Sequence, residues 1–112
     1  MDNILITGGA GFIASHITDL LIDNRYNVTI IDNLSSGKKS NVNSKANFIN
    51  IDLKDNLEHV FKNGRFDCII HHAAQIDVQT SIEDPLYDAE NNILGTINLL
   101  KMAKKFAVKK FI

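Results

Sequence analysis

Ile4-Leu5-Ile6-Thr7-Gly8-Gly9-Ala10-Gly11-Phe12-Ile13-Ala14 decides how this chain reads. An apolar, β-type run, Ile4–Thr7, stops at two glycines, and a helical pattern starts directly after them. From Phe12 to Asn24 the apolar residues Ile13, Ile17, Leu20 and Leu21 recur at helical spacing. A strand that bends through glycines into a helix is the context in which such spacing points to dinucleotide binding. Gly8 permits the tight turn. Gly11 removes a Cβ where a pyrophosphate must approach the backbone. Phe12 and Ile13 open the helix, whose unpaired N–H groups and positive dipole end suit phosphate. Ala14 is the third small position and lets the helix pack closely on a sheet.

Working outward, Val28–Ile31 is rich in β-branched residues and reads as a second strand. Asp32 closes it, eighteen residues after Ala14. A carboxylate there accepts hydrogen bonds from the adenosine ribose hydroxyls and repels a 2′-phosphate, so the expected cofactor is NAD rather than NADP. Lys38 and Lys39 in the following loop are the opposing feature, since they could receive such a phosphate. Asp32 to Ala46 is polar and reads as a loop with at most a short helical turn. Asn47–Ile51 is a third strand. Leu53–Lys62, with Leu57, Val60 and Phe61 on one side, is a short helix that Asn63-Gly64 ends as a C-terminal glycine signal. Phe66–His71 is a fourth strand. A long helix is expected from Pro85 to Phe106, with Asp84 as N-cap and Leu86, Ala89, Ile93, Ile97 and Leu100 as its apolar stripe. Gly95 falls inside that stripe, where it costs about 1 kcal/mol relative to Ala, so close packing or ligand approach is expected there. Val108 to Ile112 begins a fifth strand. Apolar strands alternating with amphipathic helices imply an α/β fold, a doubly wound parallel sheet in the order 3-2-1-4-5 with right-handed crossovers.

The 112 residues suit one domain, and 12 basic against 13 acidic side chains leave a net charge of −1. That balance gives no general argument for nucleic acid or a membrane surface. The lysines at 101, 104, 105, 109 and 110 read as a solvated helix end. The single cysteine, Cys68, excludes an internal disulfide, fits a reducing cytoplasm, and sits in an apolar run as core. No secretory signal and no bilayer-length apolar run is visible. His71 and His72 are adjacent in a strand and point to opposite faces, and His16 and His59 have no partner at ligand spacing, so no metal site is expected. Ser35-Ser36-Gly37-Lys38 lacks the full spacing of a P-loop.

Five spaced motifs together resemble the extended short-chain dehydrogenase/reductases, the NAD-dependent epimerase/dehydratase family with a Rossmann domain. They are the glycine turn, Ile31-Asp32-Asn33-Leu34-Ser35-Ser36-Gly37-Lys38, Asn50-Ile51-Asp52-Leu53, Ile70-His71-His72-Ala73-Ala74-Gln75-Ile76-Asp77-Val78, and Asn92-Ile93-Leu94-Gly95-Thr96. The resemblance covers essentially the whole chain. It implies that Asp32, Asn33, Leu34, Ser35, Ser36 and Gly37 wrap the adenosine ribose and that Asp52 and Leu53 meet the adenine. It also implies that His72, Ala73, Ala74 and Gln75 line the cofactor and that Asn92 supports its active-site end. Ala14 departs from the glycine usual in the family. Within the family, His-x-Ala-Ala-Gln with Val78, Ser81 and Asp84-Pro85 is most similar to the N-terminal part of the UDP-glucose 4-epimerases, cytoplasmic enzymes of galactose and nucleotide-sugar metabolism.

In that family a Tyr-x-x-x-Lys pair and a Ser or Thr act after the fifth strand. The tyrosinate takes a proton from the sugar 4-hydroxyl while NAD takes the hydride from C4, and the transient 4-keto sugar turns over. This sequence lacks the pair: Tyr26 is followed four residues on by Ile30, and Tyr87 by Asn91. The expectation is therefore an NAD-binding portion, residues 1–112, inactive by itself, with catalytic and sugar-binding parts absent. The alternatives are a stand-alone, non-catalytic nucleotide-binding module and part of a nucleotide-sugar 4,6-dehydratase or decarboxylase. The resemblance implies a nucleotide-sugar substrate and a homodimer for the full-length protein. For the isolated chain, strand four near an edge, with Cys68, Ile69 and Ile70 poorly covered, predicts marginal stability and self-association.

Overall fold

The computed structural model describes residues 3–34, 38–72, 86 and 93–112. Ser35, Ser36, Gly37, Ala73, Ala74, Gln75, Asp84, Pro85, Tyr87, Ala89 and Asn92, all named above, lie outside the described residues.

Five strands, β1 (Asn3–Thr7), β2 (Asn27–Asp32), β3 (Asn47–Asn50), β4 (Cys68–His71) and β5 (Lys110–Phe111), form one parallel sheet in the order β3-β2-β1-β4-β5. This is the doubly wound order expected from the sequence. Three helices are described: α1 (Phe12–Asp23), α2 (Glu58–Gly64) and α3 (Gly95–Lys105). A single 3₁₀ turn, Lys39–Asn41, interrupts the polar loop after β2.

Strand alternation divides the core between the two faces of the sheet. Ile4, Ile6, Val28, Ile30 and Cys68 turn to one face, where Ala14, Ile17, Leu21 and Ile22 of α1 cover them. Leu5, Ile31 and Ile69 turn to the other, against Val60 and Phe61 of α2 and Leu99 and Ala103 of α3. Phe61 sits edge-on to Phe66, ring centroids 5.5 Å apart, and closes the second layer.

Several boundaries and faces differ from the sequence reading. α2 begins at Glu58 rather than Leu53, because Asp52 Oδ1 accepts the Lys54 N–H (2.9 Å) and the chain turns before the helix starts. Its left-handed terminal residue is Arg65 (φ 48°), not Gly64. Gly64 is instead needed for contact, since a Cβ there would strike the Phe66 ring. In α1 the buried positions are Ala14 and Thr18, while Ile13 and Leu20 are exposed. Small residues let the helix axis come close to the sheet, which leaves the larger apolar side chains at its flanks. α3 corrects the reading most. Leu86, Ile93, Ile97 and Leu100 of the expected stripe are exposed, and Gly95, Leu99 and Ala103 face the core. The helix is apolar on two sides, and spacing alone does not say which one meets the sheet.

The expected bare edge at β4 is also corrected. Cys68 pairs with Lys110 and Ile69 with Phe111, the Ile112 N–H donates to the Ile69 carbonyl (2.9 Å), and Cys68 and Ile69 are buried with Ile70 half-buried. Burial pushes the Cys68 thiol pKa up, as suits an apolar core position.

Candidate functional site

The site begins where β1 ends. Gly8 has φ 70°, a left-handed conformation that a side chain would strain, and its N–H donates to the Ile31 carbonyl (2.9 Å) on β2. Gly9, which the sequence reading passed over, packs where a Cβ would be driven into the Ile30 side chain. The turn closes when the Gly11 N–H donates to the Gly8 carbonyl (3.0 Å). A Cβ on Gly11 would lie 3.2 Å from that carbonyl, so the bend tolerates little there but bare backbone. α1 then starts with no side-chain cap at Gly11 and no acidic residue in its first turn. Phe12 is 77% exposed and Ile13 63%, so the leading turn of the helix opens to solvent. An uncapped, unscreened helix start of this kind suits a phosphate. Ala14 is buried and packs in the core layer between α1 and the sheet.

Asp32 ends β2 and points back at this turn. Its Oδ2 accepts the Ala10 N–H (3.0 Å) and its Oδ1 accepts the Leu34 N–H (2.7 Å), with the residue 9% exposed. The second bond forms an Asx-type turn, and Leu34 at its end takes a left-handed φ of 61°. Each carboxylate oxygen retains a further lone pair, so a ribose hydroxyl can still donate to it. The Ala10 carbonyl accepts the Lys38 N–H (3.2 Å) and the Asn41 amide (3.1 Å), which staples the loop after β2 to the glycine turn. Both lysines of that loop, Lys38 and Lys39, are exposed.

On the next strand, Asn33 donates from Nδ2 to Asp52 Oδ2 (3.1 Å), joining the ends of β2 and β3. Leu53 is core rather than lining: its side chain is buried, and its carbonyl accepts the Asn98 amide at 2.6 Å. The same Asn98 donates to the Asp55 carbonyl (2.9 Å), so α3 holds the turn that carries Asp52. Across β1, the exposed His72 donates its backbone N–H to Thr7 Oγ1 (3.0 Å). His71 bonds through Nδ1 to Thr7 Oγ1 (2.6 Å) and through Nε2 to Thr96 Oγ1 (2.9 Å). Burial first, and the neighbouring His72 second, hold the His71 imidazole below its ordinary pKa.

Gly8, Gly11, Phe12, Ile13, Asp32, Asn33, Leu34, Asp52 and His72 thus gather along the carboxyl ends of β1 to β4. The order β3-β2-β1-β4-β5 puts the topological switch between β1 and β4, which is where open α/β sheets bind ligands. A second groove, of about 530 Å³, is lined by Asn56, Glu58, His59, Lys62, Lys105 and Phe106. It belongs to the α2–α3 layer, is crossed by the Glu58–Lys105 ion pair, and contains none of these residues. Among the described residues no three His, Cys, Asp or Glu side chains converge as metal ligands, and no helix is long and apolar enough to cross a membrane.

Comparison with known proteins gives this arrangement a family. Residues 4–112 match the NAD dependent epimerase/dehydratase family. The chain belongs to that family. It is 50% identical over 110 residues to a Methanocaldococcus jannaschii protein named provisionally as UDP-glucose 4-epimerase, covering 97% of this chain and 36% of the relative. The UDP-glucose 4-epimerase of Thermotoga maritima, solved with UDP-glucose, superposes with a TM-score of 0.96 at 47% identity, over 97% of this chain and 36% of that one. The Thermus thermophilus UDP-glucose 4-epimerase, solved with NAD, gives 0.93 at 42% identity, over 96% and 35%. The chain therefore spans about a third of the length of the relatives it matches.

Proposed function

We propose that these residues are the NAD-holding portion of a nucleotide-sugar 4-epimerase of the UDP-glucose/UDP-galactose type. The observation that carries the reading is the Asp32 carboxylate folded onto the glycine turn, 3.0 Å from the Ala10 N–H, beside an uncapped helix start. In this reading the amides that open α1 and the bare backbone of Gly8–Gly11 hold the diphosphate. Asp32, with Asn33 and Leu34, holds the adenosine ribose, and Ser35, Ser36 and Gly37 continue that wrap. Asp52, fixed by Asn33 and Lys54, faces the adenine, with Leu53 behind it as core. His72 leads into Ala73, Ala74 and Gln75 along the nicotinamide side, and Asn92 supports that end. NAD held there would supply the hydride acceptor for carbon 4 of the sugar. The identity of the relatives as UDP-glucose 4-epimerases supports this choice over a dehydratase or decarboxylase.

Proton transfer to and from the sugar hydroxyl needs a base that the Tyr26 and Tyr87 spacings do not provide, so the 112 residues by themselves are expected to bind but not to turn over. We further propose that the isolated chain self-associates, through the apolar side of α3 rather than the β4 edge. A homodimer of the full-length protein and a cytoplasmic setting belong to the same proposal. Calorimetric titration of the chain with NADH and NADPH tests the cofactor assignment. NADH is expected to bind one to one, and NADPH about tenfold more weakly or worse, because its 2′-phosphate meets Asp32. Equal binding of both, or heat from neither, would overturn it.

A further inference from the structure

Beyond the parallel ladder at Thr7 and His71, β1 and β4 send their chains to opposite faces of the sheet. The last backbone bond between them, from the His72 N–H to the Thr7 carbonyl (3.1 Å), lies at the edge of the ligand crevice, and side chains add to what holds its width. His71 is placed to do this. One ring nitrogen meets Thr7, the residue before Gly8, and the other meets Thr96 on α3. A neutral imidazole has one donor and one acceptor nitrogen, so one threonine hydroxyl donates and the other accepts. Thr7 Oγ1 also takes the His72 N–H, and the Gly8 N–H passes the link to the Ile31 carbonyl, next to Asp32. Both nitrogens of this part-buried imidazole are thereby engaged, and each reaches a different wall of the crevice.

We propose that His71 is a positioning residue for the dinucleotide site, tying β1, β4 and α3 together at the switch point through Thr7 and Thr96. The proposal rests on the reading of this crevice as the NAD cradle. A ligand that lies across the crevice binds tightly only if both walls are already at the right separation, and a loose wall is paid for in affinity.

The link can be cut from either side. Thr96→Val keeps the shape of the side chain and removes the partner of Nε2. His71→Asn keeps an amide near the Nδ1 position and cannot reach Thr96. Thr96→Ser restores the hydroxyl without the methyl group. NADH dissociation constants are measured by fluorescence on the 112-residue chain, with thermal midpoints beside them. Thr96→Val and His71→Asn should each weaken NADH by about threefold to tenfold, as for one lost hydrogen bond. Thr96→Ser should stay within about twofold of wild type, and the double variant His71→Asn/Thr96→Val should be no worse than the weaker single one. Variants that bind like wild type, a Ser variant as weak as the Val one, or losses that multiply in the double variant would each overturn the proposal. No binding by the wild-type chain is a separate outcome: it removes the NAD reading first, and the positioning role with it.

Discussion

At the scale of single residues, Asp32 and Gly8 carry the sharpest expectations. Asp32→Ala leaves the Ala10 and Leu34 N–H groups without their acceptor, and the one facing Ala10 is buried. The expected cost is about 1–3 kcal/mol in urea unfolding, together with loss of discrimination between NADH and NADPH. Asp32→Asn keeps an acceptor oxygen and should cost less. Gly8→Ala places a Cβ at φ 70°, and about 1–2 kcal/mol of destabilisation should appear in the same measurement. His71 makes stability depend on pH. Its folded pKa lies below the ordinary 6.5, so the unfolded chain takes up this proton first as pH falls below that value. Stability therefore drops on the acid side of pH 6.5 and is unaffected by this group above it. Urea midpoints compared between wild type and His71→Asn at about pH 7.5 and about pH 5.5 should show a smaller acid loss in the variant. At this scale the sequence showed Gly8, Gly11 and Asp32, because each answers to a spacing rule. It hid Gly9, His71, Thr96 and Asn98, whose roles depend on neighbours 21 to 64 positions away, as in Ile30 against Gly9, Thr96 and Thr7 against His71, and Asn98 against Leu53.

At the scale of elements, α3 shows where periodicity stops being informative. Positions 86, 93, 97 and 100 and positions 95, 99 and 103 both make apolar rows at helical spacing, and the sheet selects the second row. The choice follows from Leu99, which is fully buried against Leu5, Phe61 and Ile69, and from the small residues Gly95 and Ala103 on either side of it. Leu99→Ala should therefore cost about 2–5 kcal/mol, whereas Leu100→Ala, on the exposed row, should fall within about 0.5 kcal/mol of wild type. Equal losses at the two positions would mean that the helix is turned differently. The strands were legible to within two residues, β4 starting at Cys68 rather than Phe66 and β5 at Lys110 rather than Val108, and most closely at β1 and β2, whose β-branched runs are short, continuous and bounded by turns. The start of α2 was not, because Asp52 and Asn56 bind nearby backbone N–H groups and hold the chain in turns through Leu57.

At the scale of the whole molecule, the parallel order β3-β2-β1-β4-β5 brings the ends of four strands to one rim, the rim proposed above to hold NAD. Ile97 and Leu100 of α3, with Ile93 just before it, are exposed and leave an apolar surface on the opposite side of the helix from the core. Sedimentation velocity over a range of concentrations should show reversible association, and Ile97→Lys/Leu100→Glu should abolish it without lowering the thermal midpoint. A wild-type chain that stays monomeric at every concentration would contradict this.

The central claim is that the bend after β1 and the acid at the end of β2 form one cradle for NAD. Backbone amide shifts followed by NMR during a titration with NADH test it directly. The predicted changes concentrate at Gly8–Ala14 and at Asp32–Leu34. Shifts confined to the α2–α3 groove around His59 and Lys62, or no shifts at saturating NADH, would contradict it.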